Sequence, residues 1–297
     1  MSAMSRLRIL GVSVVLLACL LLLRGGAARS APVAPKDAGT PTATSKEAGG
    51  AGQNEHPENK KEGGCPPGMS YLPAATFTMG SNDKKNKKYW LQAEDEPEWP
   101  WLDEPVHKVS LDAFCMDITE VTVPAYRACV QSGKCAELPK PYCSWHKPHS
   151  DDHPQDCATW ADADQFCRVV GKRLPTEEEW EYGARGTDGR RYPWGNSDPH
   201  SDTHSGGYRE FCRRRPGDIP CPVGQFKRFA SPFGLLDMTG NLEEWTSSDY
   251  CASDKRCGKI VRGSGGPTIS EMRGAHRSSA WATDSGSLLG FRCALSL

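Results

Sequence analysis

The chain has 297 residues, of which 37% are hydrophobic and 25% charged, and its formal net charge is −1 at pH 7. This balance is that of a globular protein, and it excludes the basic bias expected of a protein that binds nucleic acid or anionic lipid. Thirteen Cys are too many for a reducing cytosol, and none has the CxxC spacing of a zinc ribbon. The 30 Gly and 23 Pro predict long loops and little regular secondary structure.

The N-terminus has the pattern of an export signal over residues 1–30. Two Arg precede residues 9–23, an uncharged and mostly apolar run that is short for a membrane-spanning helix. Three fates stay open: cleavage within the small residues 27–31, lipidation of Cys19 in a lipoprotein-like box, or retention as an uncleaved anchor. Each places the remaining chain outside the cytoplasm, as a secreted, periplasmic or surface-tethered protein.

A linker follows at residues 31–64, and a single folded domain is predicted at 65–297. The linker has no Phe, Trp or Tyr, so it cannot bury enough apolar area to offset the entropy of ordering its backbone. At the start of the domain, alternating apolar residues at 69–73 and 76–81 predict a β-hairpin around a Pro-Ala turn. A strand is predicted within 106–118, another at 222–226, and closing strands at 261–264 and 290–294.

Three short helices are predicted where Thr residues can act as N-caps, at Thr122, Thr159 and Thr176. The first should end near residue 132, the second near 170 with Val170 on its buried face, and the third at 186. Thr159 and Thr176 each begin a capping-box pattern. The run of Glu after Thr176 suits the helix dipole, so helix-start chemistry explains it more simply than acid catalysis does.

Cysteine spacing predicts three local disulfides, Cys129–Cys135, Cys212–Cys221 and Cys251–Cys257. Six further Cys allow about fifteen pairings, and their spacing does not decide among them: Cys65, Cys115, Cys143, Cys157, Cys167 and Cys293.

A Pro-rich loop contains His146, His149 and His153 beside Cys143, a set that could hold a metal. The spacing is irregular and the neighbours are Lys, Pro, Ser and Asp, which favours a solvated loop. The same interpretation applies to His200 and His204, further along the chain.

The segment 235–245 packs several acids around a Gly-Asn turn. Asp237 and Glu244 are seven residues apart, on either side of Gly240 and Asn241. Such a turn can direct both carboxylates and its own carbonyls toward one point, which is the oxygen cage that Ca²⁺ prefers. The alternative is a turn whose acids are solvated or cap neighbouring amides.

Together with the motifs at 171–182, 192–196 and 290–293, this segment resembles the formylglycine-generating-enzyme (sulfatase-modifying factor) family. The resemblance runs in order from about Gly68 to Ala294. It implies an α+β fold: a single large mixed domain with long loops, short helices and small β-sheets, distantly similar to C-type lectin domains. It also implies structural Ca²⁺ bound by Asp237, Gly240, Leu242 and Glu244, with Glu120 as a further acid of the family pattern.

Active members of the family oxidise a Cys of a client sulfatase to formylglycine with copper and O₂, and they need two thiols after a Gly-Gly-Ser segment. The matching residues 262–277 contain no Cys. Met272 and His276 are four apart and can bind copper, but neither replaces a redox thiol, so we expect no copper site.

The sequence therefore predicts a non-catalytic binding module for a protein, peptide or glycan. The alternatives are a copper-dependent oxidase that makes formylglycine or a related product, and a structural component of a cell-envelope assembly. We expect no nucleic-acid partner, and membrane contact only through the N-terminal segment or a lipid.

Overall fold

The structure is a computed structural model, and it describes residues 64–82, 106–138, 141–148, 150–197, 220–251, 257–263 and 272–297. All of them fall within one unit, Pro57–Leu297. The predicted signal segment with Cys19 and nearly all of the predicted linker lie outside the described residues. Where the chain is described, the elements are short strands and helices joined by long loops, which confirms the predicted α+β class.

The described strands form three small sheets, ordered β1-β4-β9, β2-β3 and β7-β6-β5-β8. Neighbouring strands are antiparallel except β5 and β8, which are parallel. The strands are β1 (Met69–Leu72), β2 (Ala75–Met79), β3 (His107–Leu111), β4 (Phe114–Asp117), β5 (Glu243–Cys251), β6 (Cys257–Arg262), β7 (Arg277–Ala280), β8 (Leu289–Gly290) and β9 (Ala294–Ser296).

The predicted hairpin at 69–81 is wrong. Strand β1 pairs with β4, and β2 pairs with β3, so the two segments belong to different sheets. The link between them is Pro73-Ala74, which lacks the Gly, Asn or Asp that a two-residue hairpin turn requires. The Cys65–Cys115 disulfide also ties the chain just before β1 to β4.

The predicted strand at 222–226 is wrong as well. This segment is a turn followed by one 3₁₀ turn at Lys227–Phe229. Gly224 has a positive φ of 70°, and Pro222 has no N–H to donate to a ladder. The Val223 and Gly224 amides donate instead to the Asp152 carbonyl and the Asp237 side chain.

The described residues form three α-helices, and each begins after its predicted N-cap: α1 (Val123–Gln131), α2 (Trp160–Val169) and α3 (Glu177–Arg185). Both predicted capping boxes are present, with Asp162 and Glu179 reaching back to the cap amides. Val170 was expected on the buried face but is 44% exposed, because it is the C-cap residue beyond the end of α2. Among the described residues, no helix has the length and apolar character needed to cross a bilayer.

Two clusters of buried side chains hold these elements together. The first joins α1 and α2 to the chain before β9: the Phe166 ring lies 5.6 Å from Tyr126 and 5.5 Å from Phe291. The second lies between α3 and the first two sheets, where Tyr182 packs at 5.3 Å from Phe77. Helix α3 contacts β2, β5 and β6, so it lies between sheets at the centre of the described fold.

Candidate functional site

Left-handed backbone conformations and contacts with the preceding loop fix the acidic turn. Asp237, Gly240 and Asn241 have φ of 56°, 82° and 59°, which Gly adopts freely and which Asp and Asn tolerate. The Asn241 side chain accepts from the Cys221 N–H at 3.0 Å and donates to the Cys221 carbonyl at 3.3 Å. Asp237 Oδ2 accepts from the Gly224 N–H at 2.5 Å. One predicted ligand oxygen therefore already caps a backbone amide.

Glu244 begins the buried part of β5, and its carboxylate is fully enclosed. Arg292 donates to both of its oxygens, Nε to Oε2 at 2.7 Å and Nη2 to Oε1 at 2.6 Å. Trp180 Nε1 adds a third hydrogen bond, to Oε2 at 2.9 Å. The remaining Arg292 donors reach three backbone carbonyls, those of Asp117 (3.2 Å), Ile118 (3.1 Å) and Leu236 (2.9 Å). Glu244 and Arg292 thus form a two-point ion pair with every guanidinium donor in use.

Glu120 lies close to this ion pair, but its carboxyl group has different hydrogen bonding from that of Glu244. It is 2% exposed, and among the described residues no N–H group donates to its carboxylate oxygens, although the Asp237 side chain lies within hydrogen-bonding reach. Burial raises the pKa of Glu120 well above its usual range; Asp237 and Glu244 raise it further, and Arg292 opposes them. Burial likewise raises the pKa of Asp237. Among the described residues, three carboxyl groups here surround the Arg292 guanidinium, and burial favours the protonated form of Glu120 and Asp237.

A cluster of buried carboxyl groups of this kind is neutralised either by protons or by a hard cation, which prefers carboxylate and carbonyl oxygens. Gly240 and Leu242, whose carbonyls the resemblance adds to the ligand set, are buried in the same turn. Glu244 fits less well, because Arg292 and Trp180 already occupy its oxygens.

A cluster of potential metal-ligand atoms elsewhere in the fold has a structural role. Within the described residues, the only three His, Cys, Asp or Glu ligand atoms that lie within 4.8 Å of one another belong to Cys143, Asp156 and Cys157. Cys143 and Cys157 form a disulfide, and Asp156 Oδ1 accepts from the Ser144 N–H at 2.7 Å. The group therefore offers no thiolate for a metal.

The described histidines of the Pro-rich loop have ordinary local contacts. His146 Nε2 lies 2.9 Å from the Leu138 carbonyl oxygen, and His153 Nδ1 lies 2.7 Å from Asp152 Oδ1. Residues 149, 200 and 204 fall outside the described part of the chain.

A second buried charge network lies on the other side of Trp180. Glu181 binds Arg185 through Oε1 and Arg262 through Oε2, and all three side chains are buried. The Gly80 N–H also donates to Glu181 Oε1, at 2.8 Å. Arg262 Nη1 continues to the carbonyls of Ala275 (3.3 Å) and His276 (3.1 Å). The network ties α3 to β6 and to the backbone that follows residue 272.

The described parts of the segment that resembles the oxidase thiol region are residues 262–263 and 272–277. Met272 is 3% exposed and packs beside Tyr192. His276 is 5% exposed; burial and the neighbouring Arg273 and Arg262 lower its pKa to about 3. The two side chains considered as copper ligands therefore both lie inside the fold, with the imidazole neutral at pH 7.

All eleven described Cys are disulfide-bonded. The predicted local bridges Cys129–Cys135 and Cys251–Cys257 are present, and the six undecided residues pair as Cys65–Cys115, Cys143–Cys157 and Cys167–Cys293. Cys221 is also bridged, but Cys212 lies outside the described residues, so that pairing stays a prediction. This density of bridges indicates a protein that folds outside the reducing cytosol.

Sequence reasoning missed Glu181, Arg262 and Arg292, which organise the buried charge. Glu181 was included in a run of helix-start acids, although its spacing of four from Arg185 was a usable signal for a pair on one helix face. Nothing in the local pattern around Arg262 or Arg292 distinguishes a buried arginine from an exposed one, because their partners are distant in sequence.

The disulfide-rich mixed fold with these buried ion pairs is of the formylglycine-generating-enzyme class. A solved structure of PvdO from Pseudomonas aeruginosa has a TM-score of 0.58 and 25% identity, and the match covers 77% of this chain and 94% of that one. Residues 53–297 match the family model of the sulfatase-modifying factor enzyme 1-like domain. The chain therefore belongs to the sulfatase-modifying factor family.

Relatives in this family include proteins named as formylglycine-generating enzymes and proteins named as inactive. The chain is 27% identical to the formylglycine-generating enzyme of Bos taurus, over 95% of this chain and 94% of the relative. It is 29% identical to the inactive C-alpha-formylglycine-generating enzyme 2 of Bos taurus, over 76% of this chain and 87% of the relative.

Proposed function

We propose that the chain is an exported, non-catalytic member of this family that binds a protein, peptide or glycan. One observation carries the proposal: residues 262–277 contain no Cys, and every described Cys is in a disulfide. Copper in its reduced state selects soft thiolate ligands, and a sulfur held in a disulfide is not a thiolate. The similarity to a relative named as inactive agrees with this proposal.

The proposal includes export and a structural calcium ion. Export is supported by the N-terminal pattern and the disulfides, and the protein is then secreted, periplasmic or tethered through the N-terminal segment or a lipid on Cys19. Calcium is supported by the buried acidic turn of Asp237, Gly240 and Leu242 beside Glu120 and Glu244, where three buried acids lie around one turn.

A copper-dependent oxidase is the second candidate, because a relative aligned over 95% of the chain is named as a formylglycine-generating enzyme. The experiment that separates the two supplies the purified chain with copper, O₂ and a sulfatase-type Cys peptide. Mass spectrometry then follows loss of the thiol and gain of an aldehyde. An active family enzyme is the positive control, and a Met272→Leu/His276→Gln variant reports on those two side chains.

We expect no conversion of the peptide by the chain or by its variant. Turnover by both proteins would show that one of the bridged Cys is catalytic and would overturn the proposal. Turnover by the unaltered chain alone would instead assign a copper site to Met272 and His276, and would also overturn it.

The binding half of the proposal needs its own measurement. The exported protein is tested for binding with and without Ca²⁺. One test uses a glycan array, and the other uses peptides from envelope proteins that the immobilised chain retains from an extract. Each ligand that binds is then titrated by calorimetry. We expect saturable binding to one ligand class. Stable recovery of the chain in an envelope complex without such binding would favour the structural-component alternative.

A further inference from the structure

One disulfide differs from the others in its exposure to solvent. Among the five bridges in which both Cys are described, only Cys251–Cys257 has two exposed residues. Each of the others has at least one buried Cys. Thiol–disulfide exchange requires a thiolate to approach a sulfur atom of the bridge, and an external thiol can reach this bridge without any unfolding.

The position of this bridge in the sheet lets it open without loss of the fold. Cys251 ends β5 and Cys257 begins β6, and the two residues lie directly opposite each other. The next pair on the same face is Asp249 and Lys259, whose side chains form an ion pair at 2.6 Å. Lys259 Nζ also lies 3.9 Å from the centroid of the Trp160 ring on α2. These contacts do not involve the sulfurs, so they hold the strand ends together when the bridge is reduced.

A second bridge provides an internal comparison. Cys129–Cys135 has a sequence separation of 6, the same as Cys251–Cys257, so both close equally short loops and constrain the unfolded chain to the same extent. Cys129 and Cys135 are only 6% and 9% exposed. The two bridges therefore differ in access to their sulfurs and not in loop length.

We propose that Cys251 and Cys257 form a site of thiol–disulfide exchange whose partner is a protein dithiol of the CxxC type. A thiolate of the partner attacks one of the two sulfurs, which forms a mixed disulfide and releases the other Cys as a thiolate that takes up a proton. The second thiolate of the partner then attacks the partner's own sulfur in the mixed disulfide and releases the first Cys. Two electrons and two protons pass from the partner to the bridge, and the reverse sequence closes it again.

The register of the two strands favours a dithiol over a single thiol. Because the ladder keeps Cys251 and Cys257 opposite each other, the released Cys lies beside the mixed disulfide and attacks it, which expels a monothiol and re-forms the bridge. A dithiol completes the exchange because its second thiol is present at a high effective concentration.

This site is separate from the residues that match the family thiols. Cys257 and Arg262 are the two ends of β6, which in an extended strand of 6 residues lie about 16 Å apart. Reduction of the bridge therefore supplies no thiol to residues 262–277. The inference rests on the exposure and pairing of the bridge alone, and it does not depend on which ligand the chain binds.

The test incubates the full chain under native conditions with a thioredoxin, its reductase and NADPH, and then alkylates free thiols for peptide mapping by mass spectrometry. We expect Cys251 and Cys257 to be alkylated at least about tenfold faster than Cys129 and Cys135, because only the first pair is accessible. Two controls isolate the second thiol of the partner: thioredoxin without its resolving Cys, and glutathione at the same thiol concentration. Each should open the bridge at least about tenfold more slowly than intact thioredoxin does.

Three results would overturn the inference. The first is reduction of Cys129–Cys135 at the same rate as Cys251–Cys257, since exposure would then not select the bridge. The second is no reduction of Cys251–Cys257 by thioredoxin. The third is an equal rate with glutathione, which would assign the site to small thiols.

A second readout follows the electrons. The unaltered chain should consume about one equivalent of NADPH, because one disulfide takes up two electrons. A Cys251→Ser/Cys257→Ser variant should consume none, and its circular dichroism should match that of the unaltered chain. Consumption that persists in this folded variant would place the reducible bridge elsewhere and would overturn the inference.

Discussion

Glu181 is enclosed by Arg185 and Arg262, and both of its oxygens are used by them. Glu181→Gln keeps the volume and removes the charge, so two buried guanidinium groups lose the carboxylate that they share. Removing one partner of a buried ion pair destabilises a fold by about 3–5 kcal/mol, because the remaining charge stays desolvated without its partner. We expect the free energy of unfolding, measured in urea, to fall by that amount.

The control for this experiment is the helical pair of Asp164 and Arg168, in which the arginine reaches solvent. Arg168 is 72% exposed, so Asp164→Asn should cost no more than about 0.5 kcal/mol. If Glu181→Gln costs as little as the control, the buried network does not stabilise the fold.

His276 should make the protein less stable in acid. Burial and the neighbouring Arg273 and Arg262 lower its pKa to about 3, whereas an imidazole in the unfolded chain titrates near 6.5. Between these values the unfolded state binds a proton that the folded state does not. This contribution to stability is therefore fully present above about pH 6.5 and is lost as the pH falls toward 3, by up to about 1.4 kcal/mol per pH unit.

The measurement is urea unfolding of the unaltered chain and of His276→Gln from pH 7 to pH 4. Glu120 and Glu177 act in the opposite direction, because burial raises the pKa of each and the folded state keeps their protons to higher pH. Both proteins contain them, so the difference between the two curves isolates His276. Parallel curves would contradict the prediction.

Among the elements, the Cys167–Cys293 disulfide should stabilise more than Cys251–Cys257. The first joins α2 to the chain before β9 across 126 residues, and the second joins paired positions of β5 and β6 across 6. A chain-entropy estimate gives about 5 and about 2 kcal/mol for closing loops of these lengths. Cys167 and Cys293 are also fully buried, so their loss would disturb packing.

Double Cys→Ala variants of the two bridges, compared by urea unfolding, test this order. We expect the variant without Cys167–Cys293 to lose at least about 2 kcal/mol more than the other. Equal losses would show that the unfolded chain is already constrained by the remaining bridges.

The same elements show what local sequence could and could not predict. The helices begin directly after Thr122, Thr159 and Thr176, as predicted. The sequence suffices here because the hydrogen bond of an N-cap side chain is made to a backbone N–H only three residues later. The pairing of β1 with β4 was missed, because it depends on a strand more than forty residues away. The acids of the turn could be found from sequence because they lie close together in the chain. The ion pair between Glu244 and Arg292 could not, because Arg292 lies 48 residues later.

In the molecule as a whole, α3 connects the two buried charge networks through one side chain. Trp180 donates to Glu244 on one side, and the Arg262 guanidinium lies 5.6 Å from its ring on the other. Gly263 permits this packing, since a Cβ there would lie 2.9 Å from the Trp180 ring. The acidic turn is therefore held by the same framework that encloses Met272 and His276, and a cation bound at the turn should stabilise the whole domain.

Calcium should accordingly raise the melting temperature of the chain. At about 100 times its dissociation constant, a ligand specific to the folded state adds about 2.7 kcal/mol. For a domain of this size that is a rise of about 5–10 °C. Asp237→Ala should remove most of the gain, whereas Asp151→Ala, at a side chain 85% exposed, should keep it. The measurement is thermal unfolding with Ca²⁺ and again after a chelator; a melting temperature unchanged by the chelator would exclude calcium as a structural ion, leaving the buried charge of Glu120 and Asp237 to be neutralised by a proton.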